Sequence, residues 1–400
     1  MITCYLDSQD YSVLTDPKLS NLPRSKIKDA LLHLARTRQV RFAFSAAVIS
    51  ESTALTADVT HLAERKAELL SELCSSNALV SFDRLVHAEA NALAHRSGPP
   101  LDMFDPYGRW FPELSTNEKP QEQWEGMRRR AEDDTKSMGL SRQERRAKAR
   151  IFVKTGKPRP ALIALLEQQD PNALAAELLK KYPMRPEYAE VMGRYALGRA
   201  TEKDFSEALM DSLLDPRWMM MWFSTQHAMS SPIADIVRQP GRELGQLMRS
   251  LAGVSVRWVA ALRDADIDAD PTGKKGEIAS RWQQMQEQQL IAITQRLITE
   301  KGVALGKYEA SDVCIHCPGI AAGVGSLYSS VWANVAEGRK EEPSDSQSVD
   351  ALHAFYAPYV KVFRADRFMA PHIQKQVMSA GTIVVPRLSQ LVDILEKQLR

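Results

Sequence analysis

Carboxylate side chains follow several of the segments that the sequence predicts as strands. The apolar stretch 2–7 ends on Asp7, and the stretch 359–363 is followed three residues later by Asp366. Glu51 comes shortly after a third strand-like segment, early in the next helical stretch. Because the carboxyl ends of parallel strands meet at one edge of a sheet, these three side chains are expected to converge there.

Two further carboxylates precede the strand that leads to Asp366. Asp350 lies at the front of a helix predicted from about residue 348, and Asp345 lies five residues earlier in the approaching loop. Like charges gathered within a few ångströms raise one another's pKa values, so a divalent cation is the natural means of neutralising the cluster. Ligands that are all oxygen favour Mg²⁺ or Mn²⁺ over zinc or copper. Such ions activate water and neutralise charge at a phosphodiester, so the pattern predicts hydrolysis of nucleic acid, RNA above all.

Each carboxylate has a simpler interpretation when it is taken alone. Asp7 and Asp366 are then ordinary turn or loop residues, and Glu51 is a solvated residue at a helix start. Asp350 is then an early-turn residue that the helix dipole favours. Glu89 competes with Glu51, because the stretch "LVHAEANAL" also follows a predicted strand, and we expect Glu89 at the surface or beside the site. The joint position of the others at predicted strand ends favours the metal site.

The strands and helices that must position these residues alternate along both ends of the chain. Predicted strands cover 2–7, the start of 40–50, 77–83, 359–363 and 382–386. Predicted helices cover 25–40, 56–74, 84–95, a segment from about 348, 371–379 and 388–399. Strands that alternate with helices in this way are typical of a parallel sheet with helical crossovers.

The pattern changes between the two ends. Residues 95–114 are rich in Pro and Gly and irregular, which is typical of a domain boundary. From about 115 to 335 the segments have helical periodicity, with no convincing strand. We therefore predict one α/β domain, built from residues 1–97 and 340–400, that is interrupted by an all-helical insertion at 98–339. An insertion at an exposed loop leaves the host fold intact when the loop ends stay close together.

The order of these segments resembles that of the PIN-domain nuclease family. The resemblance is carried by Asp7 after the first strand, "SAAVISE" with Glu51, "DALHAFYAPYVKVFRADRF" with Asp350 and Asp366, and the last strand "TIVVP". It implies a PIN-like parallel sheet flanked by helices, in which these four carboxylates are catalytic and hold Mg²⁺ or Mn²⁺. It also implies Asp345 as a fifth ligand.

The resemblance further implies three neutral or basic neighbours of the metal. Ser8 and Arg367 would lie beside the ions, and His353 would hydrogen-bond within the site. The likeness covers only the two chain ends and implies nothing about 98–339. That insertion is far longer than a toxin-type PIN chain allows, which argues against simple toxin–antitoxin behaviour.

A strongly basic stretch lies within the predicted insertion, at 128–159. It holds twelve basic and four acidic residues, in a chain whose formal net charge is only +2. A phosphate backbone would be attracted to such a stretch in a salt-dependent way, although a solvated helical face with an exposed basic loop explains it as well. The candidates for nucleic-acid contact are Arg128, Arg129, Arg130, Arg145, Arg146, Lys148 and Arg150.

Several other classes of protein are excluded or disfavoured. The chain has no GxxxxGK[ST], GxSxG or HExxH motif, and position 9 is Gln where haloacid-dehalogenase-type phosphatases need Asp. No run approaches the ~18 apolar residues of a bilayer span, and the first residues lack the features of a secretory signal. Four cysteines do not make a disulfide framework, so we expect a reducing cytoplasm. No second Cys or His cluster completes a zinc site with Cys314, His316 and Cys317.

Three functions remain open from the sequence. The leading hypothesis is a Mg²⁺- or Mn²⁺-dependent endoribonuclease of PIN-like type, whose insertion positions substrate or blocks the site until a protein partner or inhibitor acts. In the second, the PIN-like core is catalytically silent and the chain is a scaffold or binding subunit of a larger assembly. The third keeps the nuclease but makes DNA its substrate. The sequence indicates no oligomeric state.

Overall fold

The computed structural model describes both chain ends and parts of the middle. The described residues are 1–18, 22–52, 60–98, 102–111, 141, 143, 153–154, 157–158, 183–196, 200–225, 243–246, 250, 257, 273–300, 302–303, 306–336 and 345–400. The chain divides into two compact units. One is formed by Met1–Pro112 with Met219–Arg400, and the other by Glu113–Trp218.

A four-stranded parallel sheet forms the centre of the first unit. In the described part of the chain the strands are β1 (Ile2–Tyr5), β2 (Val40–Ala43), β3 (Val153–Lys154), β4 (Lys157–Pro158), β5 (Val362–Arg364) and β6 (Ile383–Val385). The first two and the last two make the sheet, in the order β2–β1–β5–β6. Tyr5 in β1 pairs with Ala43 on one side and with Phe363 on the other. The two chain ends therefore meet along β1 and β5.

Helices flank this sheet and fill much of the rest of the described chain. At the amino-terminal end they are α1 (Ser8–Thr15), α2 (Leu22–Arg36), α3 (Ala46–Glu51), α4 (Thr60–Cys74) and α5 (Phe82–Ala94). In the middle they are α6 (Ala189–Ala196), α7 (Glu202–Leu214), α8 (Pro216–Thr225), α9 (Gly273–Glu300), α10 (Ala310–His316) and α11 (Pro318–Ala336). At the carboxyl-terminal end they are α12 (Asp345–Ala354), α13 (Met369–Val377) and α14 (Leu391–Leu399). None of these described helices is both long and apolar enough to cross a membrane.

The predicted α/β class and the parallel sheet built from both chain ends are confirmed. The predicted strand at 77–83 is reduced to two isolated bridges, in which Ala78 pairs with Phe44 and Leu79 pairs with Phe104. α1 was not predicted, because its sequence, SQDYSVLT, carries little apolar periodicity. Its start is fixed by the side chain of the residue before it.

The middle of the chain corrects the prediction of an all-helical insertion. β3 and β4 pair as a short antiparallel hairpin. The first compact unit includes 219–336, which we had assigned to the insertion, so α9, α10 and α11 belong to the same unit as the sheet. Within the second unit, Trp218 Nε1 donates to the carbonyl oxygen of Pro183 over 2.7 Å, and Arg185 pairs with Asp215 at 3.0 Å.

α11 is an apolar helix that packs against helices near the carboxyl-terminal part of the chain. It begins at a proline, whose fixed φ suits the first turn of a helix, and it packs against α5, α12 and α13. A Cβ atom placed at Gly323 would lie 2.0 Å from the ring of Phe355, just after α12. Glycine therefore permits the close approach that joins α11 to the end of α12.

Candidate metal centre at the carboxyl edge of the sheet

Asp7 comes directly after β1 and caps the first turn of α1. Its Oδ1 accepts from the backbone nitrogen of Gln9 and from the hydroxyl of Ser8, each over 3.3 Å. Its own backbone nitrogen donates to Asp10 Oδ2 over 3.2 Å, which completes a capping box. The carboxylate is buried and is held at the positive end of a helix, where negative charge is favoured.

Glu51 ends α3, and His353 lies in the last turn of α12; their side chains meet at this edge. His353 Nε2 donates to Glu51 Oε2 over 2.5 Å. Burial works to lower the pKa of His353, but the neighbouring carboxylates, led by Glu51, raise it to about 9. Burial likewise works to raise the pKa of Glu51, yet the contact with His353 and a hydrogen bond from Ser8 hold it below its usual range.

Asp350 lies one turn before His353, on the same face of α12. Burial raises the pKa of Asp350 to about 7, and the charges of Asp7, Asp366 and Glu51 add to this. The nearby imidazole offsets the rise only in part. Four carboxylates from both chain ends therefore interact electrostatically at one edge of the sheet, as the sequence predicted.

Asp366 follows β5 and begins the approach to α13. Its Oδ1 accepts from the backbone nitrogen of Met369 over 2.6 Å, so the side chain is turned toward the start of that helix. It is half-buried, and Arg367 beside it is exposed. Both residues therefore lie where the edge of the sheet meets solvent.

The donor set suits a hard divalent cation. One ligand atom each from Asp7, Glu51 and His353 lies within 4.8 Å of the other two. Adjacent ligands of an octahedral ion with bonds of about 2.1 Å lie about 3 Å apart, whereas His353 Nε2 is 2.5 Å from Glu51 Oε2. In this arrangement His353 is a hydrogen-bond partner of Glu51 rather than a ligand, and the carboxylates are the oxygen donors that Mg²⁺ and Mn²⁺ prefer.

Comparison with protein-family models, with curated proteins and with solved structures finds no match for this chain.

The remaining predicted site residues differ in where they lie. Ser8 is in contact with Asp7, as expected. α12 begins at Asp345, so Asp350 lies in its second turn and not at its front, which corrects the prediction. The side chain of Asp345 lies outside the described part of the structure. The basic candidates also lie outside the described residues: Arg128, Arg129, Arg130, Arg145, Arg146, Lys148 and Arg150.

A buried ion pair behind Asp7 was not predicted. Arg364, the last residue of β5, places its Nη2 3.2 Å from Asp10 Oδ1. Burial raises the pKa of Asp10 to about 7, against the lowering effect of Arg364. Because Asp10 Oδ2 also holds the backbone of Asp7, the pair ties the two chain ends together. The spacing of Asp7 and Asp10, which is that of a capping box, is the signal that could have identified Asp10.

Glu89 does not lie at the surface, which corrects that part of the expectation. It is fully buried in α5 and accepts from the first turn of α11, with Gly319 N at 2.6 Å from Oε1 and Ile320 N at 3.0 Å from Oε2. The hydroxyl of Tyr359 also donates to it. Burial raises the pKa of Glu89 to about 7, although these three donors work in the opposite direction. Glu89 is therefore a structural cap of α11.

Proposed function

We propose that this chain is a Mg²⁺- or Mn²⁺-dependent nuclease of PIN-like type that cleaves RNA. The proposal depends on the charge of the carboxylates at the edge of the sheet, a cluster called the acidic edge from here on. When ionised, the carboxylates there supply four negative charges, whereas the two cations that interact with Glu51, His353 and the half-buried Lys66, supply two positive ones. A divalent cation would balance the remainder. The carboxylates of the cluster are Asp7, Glu51, Asp350 and Asp366.

In this proposal the same four carboxylates hold the cation, and Asp345 is a fifth. The bound cation would supply water activation and charge neutralisation at the scissile phosphodiester. The chain's own groups keep the ligands in place before substrate arrives: Ser8 and the start of α1 hold Asp7, and His353 holds Glu51. Such prior orientation lowers the entropic cost of reaching the reactive geometry. Arg367, exposed beside the cluster, is suited to contact a phosphate.

Charge and cysteine chemistry bear on the substrate and the cellular compartment. The basic stretch 128–159 would attract the backbone of RNA, and that of DNA equally, so DNA is the alternative substrate. The middle of the chain would position the nucleic acid or respond to a protein partner or inhibitor. All four cysteines are free, which supports a reducing compartment such as the cytoplasm.

The test is cleavage of single-stranded RNA and DNA of the same sequence, with Mn²⁺, by the parent and by Asp7→Asn. We expect the parent to cleave RNA, and Asp7→Asn to be at least about 100-fold slower, because substitutions even one shell removed from a metal cost 10–100-fold. The matched control is Asp393→Asn, at an exposed position in the first turn of α14, which should cleave like the parent.

Three outcomes would change the proposal. If Asp7→Asn cleaves RNA as fast as the parent at saturating Mn²⁺, the proposed site is wrong. If the parent cleaves only DNA, the site stands and the substrate changes. If the parent cleaves neither, and Mn²⁺ does not raise its melting temperature, the silent scaffold is favoured, because a ligand at 100 times its Kd stabilises the folded state by about 2.7 kcal/mol.

A further inference from the structure

A chain of three hydrogen bonds runs from the interior of the sheet to the acidic edge. The hydroxyls of Ser45 and Tyr5 are 2.7 Å apart, and the hydroxyl of Tyr5 lies 2.6 Å from His353 Nδ1. His353 Nε2 then donates to Glu51 Oε2 over 2.5 Å. The four residues come from β1, from α3 and the position before it, and from α12, so the chain joins segments that are far apart in sequence.

The polar atoms of this series of hydrogen bonds are buried and are paired with one another. Ser45, Tyr5 and His353 are all buried, and buried polar groups are stable only when they are paired. Ser45 holds the N-cap position of α3, where serine usually bonds the first turn, yet it makes no such bond. Its hydroxyl instead meets Tyr5. The side chain of Ser45 therefore contributes to the hydrogen-bond series and not to the cap of α3.

The hydrogen-bond directions run consistently along the chain. With a proton on Nε2 alone, His353 Nδ1 accepts from Tyr5, whose oxygen accepts from Ser45. With both ring nitrogens protonated, Nδ1 donates to Tyr5 and the phenol donates to Ser45. In both arrangements Nε2–H points at Glu51, so the carboxylate oxygen remains held.

The position of the phenol is set by the core of the sheet. The ring of Tyr5 stacks on Phe363 of β5, with centroids 5.1 Å apart and planes 2° from parallel. Tyr356 stacks on it as well, at 6.4 Å. Because close-packed aromatic rings leave little freedom, the hydroxyl of Tyr5 is a fixed point for the imidazole.

We propose that Ser45, Tyr5 and His353 form a positioning relay that fixes the carboxylate of Glu51 for the divalent cation. The proposal rests on the proposed function. Groups that orient a metal ligand through hydrogen bonds commonly contribute 10–100-fold to metal affinity. The hydroxyl of Tyr5 bonds Ser45 and His353, and no carboxylate among the described residues, so removing it should weaken cation binding although every ligand remains.

The test compares Tyr5→Phe with Tyr11→Phe in the full chain. Tyr11 is the matched control, because it is equally buried and its hydroxyl also bonds a buried side chain, Cys74 Sγ at 3.3 Å. Mn²⁺ alone is titrated, and the midpoint of its effect on the melting temperature is recorded for each protein. We expect the midpoint to rise about 10-fold in Tyr5→Phe and to stay at the parental value in Tyr11→Phe.

Two variants of His353 separate positioning from packing. The amide nitrogen of Gln can still donate to Glu51, so His353→Gln should recover part of the Mn²⁺ affinity that His353→Ala loses. Ser45→Ala, expected to give the smallest shift, replaces Tyr5→Phe if the latter does not fold. Equal midpoints in the parent and in the variants of Tyr5 or Ser45, with the parent binding Mn²⁺, would overturn the relay alone. A parent that does not respond to Mn²⁺ would overturn the metal site and the relay together.

Discussion

The first compact unit buries carboxylates in two different ways. Glu89 faces three hydrogen-bond donors, two from the first turn of α11 and one from Tyr359. Asp350 at the acidic edge faces other carboxylates instead, and their charges add to the effect of burial on its pKa. Burial raises the pKa of each to about 7, but the partners of Glu89 oppose this rise, whereas most of the partners of Asp350 add to it. A shifted pKa alone therefore does not indicate the role of a buried carboxylate, and its partners have to be compared.

Asp105 is a third buried carboxylate, and its hydrogen-bond donors outweigh the effect of burial on its pKa. It accepts from Arg84 Nη1 over 2.5 Å and from the backbone nitrogens of Tyr107 and Arg109 over 2.8 and 3.0 Å. These bonds hold the pKa of Asp105 below its usual range despite its burial. Asp350 at the acidic edge lacks such compensation, because the charges of Asp7, Asp366 and Glu51 add to the effect of burial on its pKa and only His353 opposes it.

The largest expected difference between the Glu89 site and the acidic edge is in the stability of the metal-free protein. Glu89→Ala leaves the nitrogens of Gly319 and Ile320 and the hydroxyl of Tyr359 buried without an acceptor, so the free energy of unfolding should fall by about 3 kcal/mol. Asp350→Asn removes a charge from a repelling cluster, so the metal-free protein should be as stable as the parent or more stable, by about 1 kcal/mol. Urea unfolding in the presence of a chelator measures both.

Glu64→Ala, at an exposed position in α4, is the control for replacing a glutamate as such, and it should change stability by less than about 0.5 kcal/mol. If Asp350→Asn destabilises the metal-free protein as strongly as Glu89→Ala does, both carboxylates are structural and the comparison fails.

A smaller effect on stability is expected in α11, which contacts both Glu89 and the residue just after α12. Glu89 caps the start of α11, and Gly323 in its middle packs against the ring of Phe355, two residues after His353. Gly323→Ala would place a methyl group 2.0 Å from that ring, so we expect a loss of about 2 kcal/mol and a weaker response to Mn²⁺. Thermal unfolding with and without Mn²⁺ measures both quantities.

Gly325→Ala is the matched control in the same helix. The atoms nearest to its methyl group would be those at the end of the flexible side chain of Gln376, which can move aside, and alanine favours the helix by up to about 1 kcal/mol. It should therefore be neutral or slightly stabilising. Equal losses from the two substitutions would show that the cost lies in α11 itself and not in its contact with Phe355.

The features that were predicted correctly from sequence depend on local patterns. The short apolar runs that end on Asp7 and precede Asp366 are strands of one parallel sheet, because alternation with helices is readable over a few residues. Ser8 lies beside Asp7, and His353 bonds within the cluster, as the resemblance implied. Whether these residues bind metal stays a prediction.

The features that were missed depend on contacts between distant parts of the chain. Tyr5 and His353 are 348 positions apart, and the ion pair of Asp10 with Arg364 also joins the two ends. No local pattern indicates that an aromatic residue in β1 will bond an imidazole in α12. Glu89 was misplaced for a similar reason, because its partners lie in α11, a helix that the sequence assigned to another domain.

The smallest effect that we predict is on the pH dependence of stability, which Glu89 should influence. The pKa of Glu89 is raised from 4.5 to about 7 in the folded protein, so its contribution to stability is fully present below about pH 4.5 and is lost as pH rises through about 7. Glu89→Gln cannot release that proton, so the decrease between about pH 5 and about pH 8 should be smaller than in the parent, by on the order of 1–2 kcal/mol. Urea unfolding of both proteins at the two pH values measures this difference. A pH-independent change in stability caused by the amide cancels, because each protein is compared with itself. Identical decreases would mean that the three donors already keep Glu89 ionised across this range.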